Sequence, residues 1–397
     1  MFSLLSITGR ITGKITGRLF ALLSVLWLAA CQTVTVGSND NGPKIDTSVA
    51  VPVALLVPGG SGKASDNLLA KNLENAARLA IADLQGVKID LRVYNTAGNP
   101  AQAANVASEA VDDGAKIILG PLYAQAANAA GVAVAGRNVN VLAFSNNTEI
   151  AGGNVFVLGS TFQNTANRLV KFAKSQGKNS IMVVHGQNLP GTVGRDAINN
   201  AMASNGVAQA GVTSYEMSQQ GIINAAPKIA NTVRNSAAQA IFFTASTDSD
   251  LPLLTQMLPD QNISSSRVKF IGLTRWDIPA ATLSLPGVQG SWFALPHPAM
   301  TAKFNSRYNQ AYGKPAHPIA NLAYDGIAAI GALVKAGKSN ALAKSGLTQG
   351  SGFVGANGIF RLLPDGTNQR GLAIAEIRNN QAVIVSPAPS SFGGAGF

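Results

Sequence analysis

The feature that most limits how this chain can fold is a repeated alternation of short β-branched runs with segments of helical period. The runs VPVALLV (51 to 57), KIDLRVY (88 to 94), AKIILG (115 to 120) and VNVLAF (139 to 144) read as strands bounded by Gly, Pro or Asn. Between them Leu69, Leu73, Ala76, Ala77, Ala80 and Leu84 share one helical face, as do Ala103, Ala107, Ala110 and Val111. Strand, helix, strand repeated in this way implies a parallel sheet covered on both faces. The rhythm restarts after about residue 160 with SIMVVH (180 to 185), VAQAGVTSY (207 to 215), AIFFTA (240 to 245) and VKFIGL (268 to 273). The fold class expected is therefore α/β, with two Rossmann-like lobes. At 397 residues and 46% hydrophobic composition the chain is long enough to fill two cores. The last third departs from the rhythm: a helix is predicted over 319 to 335, and GIFRLLPDGTNQRGLAIAEI reads as a hairpin turning at Pro364, Asp365 and Gly366.

The N-terminus follows a different logic. A basic stretch, ITGRITGKITGR, precedes the apolar run Leu19 to Ala30, about half the length that a spanning helix needs. The run ends in Leu28, Ala29, Ala30 and Cys31, which resembles a bacterial lipobox, and Cys31 is the sole cysteine of the chain. Residues 1–31 are thus predicted to be a lipoprotein signal peptide, with Cys31 acylated and holding the protein to a membrane. Gln32 after the cysteine implies delivery to the outer membrane of a Gram-negative bacterium. Residues 32–48 read as a polar tether and 387–397 as a disordered tail.

Charge and motifs exclude several classes of function. The chain carries 30 Lys+Arg against 19 Asp+Glu, a net +11; without Arg10, Lys14 and Arg18 of the leader, 27 against 19 leave +8. The basic residues are dispersed and aromatics make up only 6%, so no nucleic-acid footprint is present. In GGSGKA, Val57 stands where a phosphate-binding loop needs its first Gly, and Ala64 where it needs Ser or Thr. His185, His297 and His317 are too scattered for a zinc signature, and Ser175 to Lys178 reads SxxK without a KTG partner. The prediction is a protein that is not an enzyme, with no cofactor and no metal.

Four segments carry a resemblance that runs from Val51 to Val385: NLENAARLAIADL; NTAGNPAQAANVASEAVDDGAKIILGPL, with Gly120 and Pro121 closing the third strand; AYDGIAAI around Tyr324 and Asp325; and GFVGANGIFRLLPDGTNQRGLAIAEI. In these the chain resembles the Leu/Ile/Val-binding branch of the type I periplasmic solute-binding proteins. The resemblance implies three crossovers between lobes, near residues 160, 294 and 350, and a cleft that closes by hinge motion. Lobe one would comprise 49–160 plus 295–350, and lobe two 161–294 plus 351–386.

Loops at the carboxyl ends of parallel strands lead into helix N-termini, so ligand groups are expected there. In the first lobe this selects Ser61, Tyr123, Gln125, Ser145 and Asn146; in the second, His185, Thr244, Ser246, Arg275 and Trp276. Tyr123, Arg275 and Trp276 stand out because large planar side chains on loops cap helices poorly and bind well. Amino-acid binders of the family place hydroxyls after the Gly-Pro pair and an acid after the last second-lobe strand. This chain has Tyr123 and Ala124 at the first place, and Thr274, Arg275 and Trp276 at the second. The function expected is capture of a small polar, amino-acid-like solute for an ABC importer. The alternative is an outer-membrane lipoprotein of the same fold that activates penicillin-binding peptidoglycan synthases by contact.

Overall fold

A computed structural model describes residues 42–393. Two sheets organise them. The first is a five-stranded, wholly parallel sheet of β1 (Val51–Val57), β2 (Ile89–Asn95), β3 (Ile117–Leu119), β4 (Val141–Ala143) and β5 (Val155–Val157), in the order β2-β1-β3-β4-β5. Because successive residues of a strand point to opposite faces, Val53, Leu55 and Val57 enter one core and Ala54 and Leu56 the other. The first face is covered by α1 (Ala64–Asp83), through Leu73, Ala76, Ala77 and Ala80. The opposite face takes Val106, Ala107 and Ala110 of α2 (Pro100–Asp112) and Ala127, Ala130 and Val134 of α3 (Ala124–Val134).

The second sheet has seven strands in the order β15-β14-β10-β9-β8-β6-β7. Four neighbouring pairs are parallel and join β7 (Ala208–Tyr215), β6 (Ser180–Gly186), β8 (Ala240–Phe243), β9 (Lys269–Gly272) and β10 (Trp292–Leu295). β14 (Ala373–Arg378) and β15 (Gln381–Ser386) extend it antiparallel from β10. Here α4 (Phe162–Ser175) and α5 (Leu189–Asn205) cover one face, through Leu169, Val170, Ile198 and Met202. The other face takes Ile222 and Ile229 of α6 (Gln219–Asn235) and Leu251 and Leu254 of α7 (Leu251–Asp260). Side-chain caps start several of these helices: Asn99, Thr161, Asn188 and Ser218 accept from N–H groups of the first turns of α2, α4, α5 and α6.

From β10 the chain returns to the first core. α8 (Pro298–Tyr312) contributes Phe304 and Tyr308, and α9 (Ala320–Lys335) contributes Ile327, Ile330 and Val334, alongside α1. A short helix, α10 (Lys344–Leu347), leads to a small antiparallel sheet of β11 (Phe353–Gly355), β12 (Gly358–Leu362) and β13 (Asn368–Arg370).

Three expectations meet a different structure. Segment 351–386, expected wholly in the second lobe, divides, because Phe353, Phe360 and Leu362 bury in the first core and only β14 and β15 join the second sheet. The third passage between the sheets therefore lies at residues 370–373, well past 350. The tether reading of 32–48 does not hold from 42 on: Ile45 is buried in the first core and its N–H donates to the Ser339 carbonyl (2.8 Å). Nor are residues 387–393 without structure: the Pro387 carbonyl accepts from Arg168 (3.2 Å), and the Arg361 guanidinium lies 4.6 Å from the Phe392 ring centre. Polar composition hid both, because single apolar or carbonyl contacts leave no period to read. The signal peptide and Cys31 lie outside the described residues.

Candidate functional site

Polar side chains hold the two lobes together where the chain passes between them. Asp325, fully buried on α9, accepts from Arg370 (2.7 Å) and from the Ala356 N–H (2.7 Å). Gly355 makes this possible, since a Cβ there would collide with the carboxylate. Arg370 also donates through Nε to the Leu158 carbonyl (3.0 Å), and its guanidinium lies 5.0 Å from the Phe360 ring centre. Asn368 donates to the carbonyls of Val157 and Gly159 (both 2.8 Å) and accepts from Asn164 (2.8 Å). Arg168 on α4 binds the Leu372 carbonyl (2.8 Å). The first and third passages are thus bonded side by side. Burial pushes the Asp325 carboxyl up, with the Arg370 guanidinium pulling against it.

Against this hinge lies a cavity of about 570 Å³, walled from both lobes. Leu273, Thr274, Arg275 and Ile278 come from the loop after β9, and Leu295 and Pro296 from the second passage. Thr301 and Phe304 of α8, then His317, Ile319, Asn321 and Leu322 before and within α9, close the other side. Phe162 and Arg370 also line it. Asn357 accepts from Asn321 (3.0 Å) and Thr301 (3.3 Å), and His317 Nδ1 accepts from the Ile319 N–H (3.2 Å). Burial holds the His317 imidazole below its ordinary value.

The residues selected from the sequence fall into three groups. On the first sheet's carboxyl edge, Tyr123 donates to Asp66 (2.6 Å), and that bond, with burial, pushes its phenol up to about 12. Ser61 accepts from the Lys63 N–H (3.2 Å), Ser145 from the Asn147 N–H (3.1 Å), while Gln125 and Asn146 are exposed. On the second sheet's edge, His185 is buried, its Nδ1 facing the Gly186 carbonyl (3.0 Å), and burial lowers its pKa. Thr244 accepts from the Gly186 N–H (3.4 Å), while the N–H and hydroxyl of Ser246 donate to Asp250 and Asp248. Among the described residues no hydrogen bond joins one group to the other. Arg275 alone of the ten lines the inter-lobe cavity, held by Asp277 through Nε (2.6 Å) and Nη2 (2.5 Å).

Trp276 forms the third group and corrects the sequence reading. It is fully buried in the second core, 6.2 Å from Phe243 between ring centres, and cannot offer a binding surface. Gly272 provides the room: a Cβ there would fall inside the indole's van der Waals envelope. Sequence reasoning missed Phe162, Phe304, His317, Asn321 and Asn357. It searched strand ends only, whereas these flank the passages between lobes, and the run Ala316, His317, Pro318 before α9 was their one visible signal.

Among the described residues no group of three or more His, Cys, Asp or Glu is placed to hold a metal ion. No helix there is long and apolar enough to cross a membrane.

A family model described as periplasmic binding protein matches residues 50–382. A search of curated proteins finds no match. Solved structures share the fold at low identity. One is a branched chain amino acid ABC transporter periplasmic ligand-binding protein from Burkholderia xenovorans LB400, with TM-score 0.66 and 17% identity over 87% of this chain and 97% of that one. A second is an ABC transporter substrate-binding protein from Desulfitobacterium hafniense in complex with Leu, with TM-score 0.61 and 15% identity over 85% and 100%. A third is a solute binding protein of an ABC transporter from Rhodopseudomonas palustris BisB5 in complex with 3,4-dihydroxy benzoic acid, with TM-score 0.57 and 17% identity over 86% and 98%.

Proposed function

The chain belongs to the periplasmic binding protein family, and from that premise we propose that it captures a small solute between its lobes in the periplasm and presents it to an ABC importer. The observation that carries this reading is the cavity of about 570 Å³ at the hinge, to which both lobes contribute walls. A ligand held there touches both halves at once, so its binding energy favours the closed arrangement over the open one. The Desulfitobacterium and Rhodopseudomonas proteins hold a leucine and a dihydroxybenzoate respectively, which supports a ligand of that size.

Ligand binding to the native state alone raises stability, by about 2.7 kcal/mol at a hundred times the dissociation constant. A thermal-shift screen over a broad metabolite set therefore checks the proposal, and a flat response throughout would sink it. We also propose acylation at Cys31 and residence at the outer membrane. Intact mass of the mature protein should show a diacylated or triacylated N-terminal cysteine, and Cys31→Ala should release the protein from the membrane fraction.

A second reading, contact activation of peptidoglycan synthases, is favoured by the lack of any acid lining the cavity, where an amino-acid importer needs one. Retention of a peptidoglycan synthase in a pull-down, with no metabolite released from the purified protein, would put it ahead.

A further inference from the structure

We infer that the solute is an apolar carboxylic acid that lacks an ammonium group. This inference rests on the capture reading above and names the class of ligand that the inter-lobe cavity takes.

The walls supply the first part of the case. Phe162, Leu273, Ile278, Phe304, Ile319 and Leu322 give a largely hydrocarbon surface. Ile278, one of these lining residues, is 48% exposed. Desolvating an apolar body against such a surface is favourable in proportion to the area covered.

Charge supplies the second part. The lining contains no Asp or Glu. The carboxylates bonded to its two lining arginines, Asp277 and Asp325, lie outside the lining and already have partners: Asp277 accepts from Arg275 through two bonds, Asp325 from Arg370 and the Ala356 N–H. An ammonium brought into the cavity loses its water and finds no free anion to replace it. His317 offers no free acceptor either, since its Nδ1 lone pair is taken by the Ile319 N–H.

The two arginines differ in what they can still do. Arg370 is 6% exposed and uses Nε and Nη2 on the Leu158 carbonyl and Nη1 on Asp325, so it belongs to the hinge. Arg275 spends Nε and Nη2 on Asp277, and both N–H groups of Nη1 remain for a ligand oxygen. Asp277 behind it fixes the guanidinium plane, so the head group meets an oriented donor pair. An acid whose body rests on Phe304 and Leu322 is thereby held at one end by Arg275 and excluded at the other from carrying positive charge.

The experiment compares matched probes on the full chain by calorimetry and thermal shift: 4-methylpentanoate against leucine and against 4-methylpentylamine, and 3-phenylpropionate against phenylalanine. The expected result is that at least one acid binds, that its amino acid binds about tenfold more weakly or worse, and that the amine does not bind. Arg275→Gln should then weaken the acid by about tenfold or more while leaving the unliganded melting temperature and circular dichroism in place, with Arg275→Lys intermediate. Leucine or phenylalanine binding as tightly as its deaminated partner would overturn the inference and leave solute capture standing. Acid binding that survives Arg275→Gln unchanged would overturn it equally, as the head group would then lie elsewhere. If neither these probes nor a broad metabolite set binds, the capture reading falls and this inference falls with it.

Discussion

Asp325 is fully buried and Arg370 nearly so, and each is the other's countercharge at 2.7 Å. Removing one partner leaves an uncompensated ion in low dielectric, so Asp325→Ala should lower unfolding stability by about 3–5 kcal/mol in urea titration. The double change Asp325→Leu with Arg370→Met should cost less than either single change, because no unpaired charge remains. His185 behaves differently because it is buried without a carboxylate partner and its pKa is held below the usual 6.5. The unfolded chain therefore binds a proton that the folded one refuses. Stability is level above about pH 7 and falls as pH drops through the unfolded value near 6.5. Thermal midpoints at pH 7.5 and 5.5 should show this loss in the native protein and less of it in His185→Gln.

At the scale of elements, the loop after β9 shows how one missing side chain redirects a neighbour. Large planar residues on loops ordinarily face outward, and Trp276 was assigned to the ligand on that ground. The absent Cβ of Gly272 opens a slot that the indole fills instead, and the burial of so large a ring outweighs leaving its Nε1 without an acceptor. Gly272→Ala should overpack this slot and cost about 1–3 kcal/mol. Trp276 and Trp292 both belong to the second lobe, so tryptophan fluorescence during denaturation reads that loss directly. The strands of both sheets were legible because β-branched runs and period-2 burial leave a pattern. β5, β10 and β11 were not picked out, although β3, β4, β8 and β9, which were, are equally short.

For the whole molecule, the passages between lobes are where buried polar side chains of distant segments meet. Asn368, Asn164 and Arg168 bond the first passage to the third, and solute capture as proposed would have the lobes rotate about this strap. A ligand bridging the cavity should reduce the radius of gyration in small-angle scattering relative to the unliganded protein, and a ligand that stabilises without compaction would count against hinge closure. Asn368→Ala removes two carbonyl contacts at the strap. It should lower stability by about 1–3 kcal/mol, as buried acceptors lose their donor.

The sequence by itself determined the α/β class, the two series of parallel strands and the family pattern around Gly120 and Asp325, because each rests on local periodicity or on short contiguous segments. It also picked Arg275 from a strand-end loop, and the structure puts that residue in the cavity wall. Only the tertiary structure decided that Trp276 turns inward, that β11 to β13 belong to the first core, and that the cavity is built from passages far apart in the chain. Those outcomes depend on which side chains meet in space, at separations from four residues, as with Gly272 and Trp276, to 204, as with Asn164 and Asn368. Asp325 reaches Gly355 and Arg370, and Asn164 reaches Asn368, by the packing of whole layers, and no window of local sequence contains those meetings.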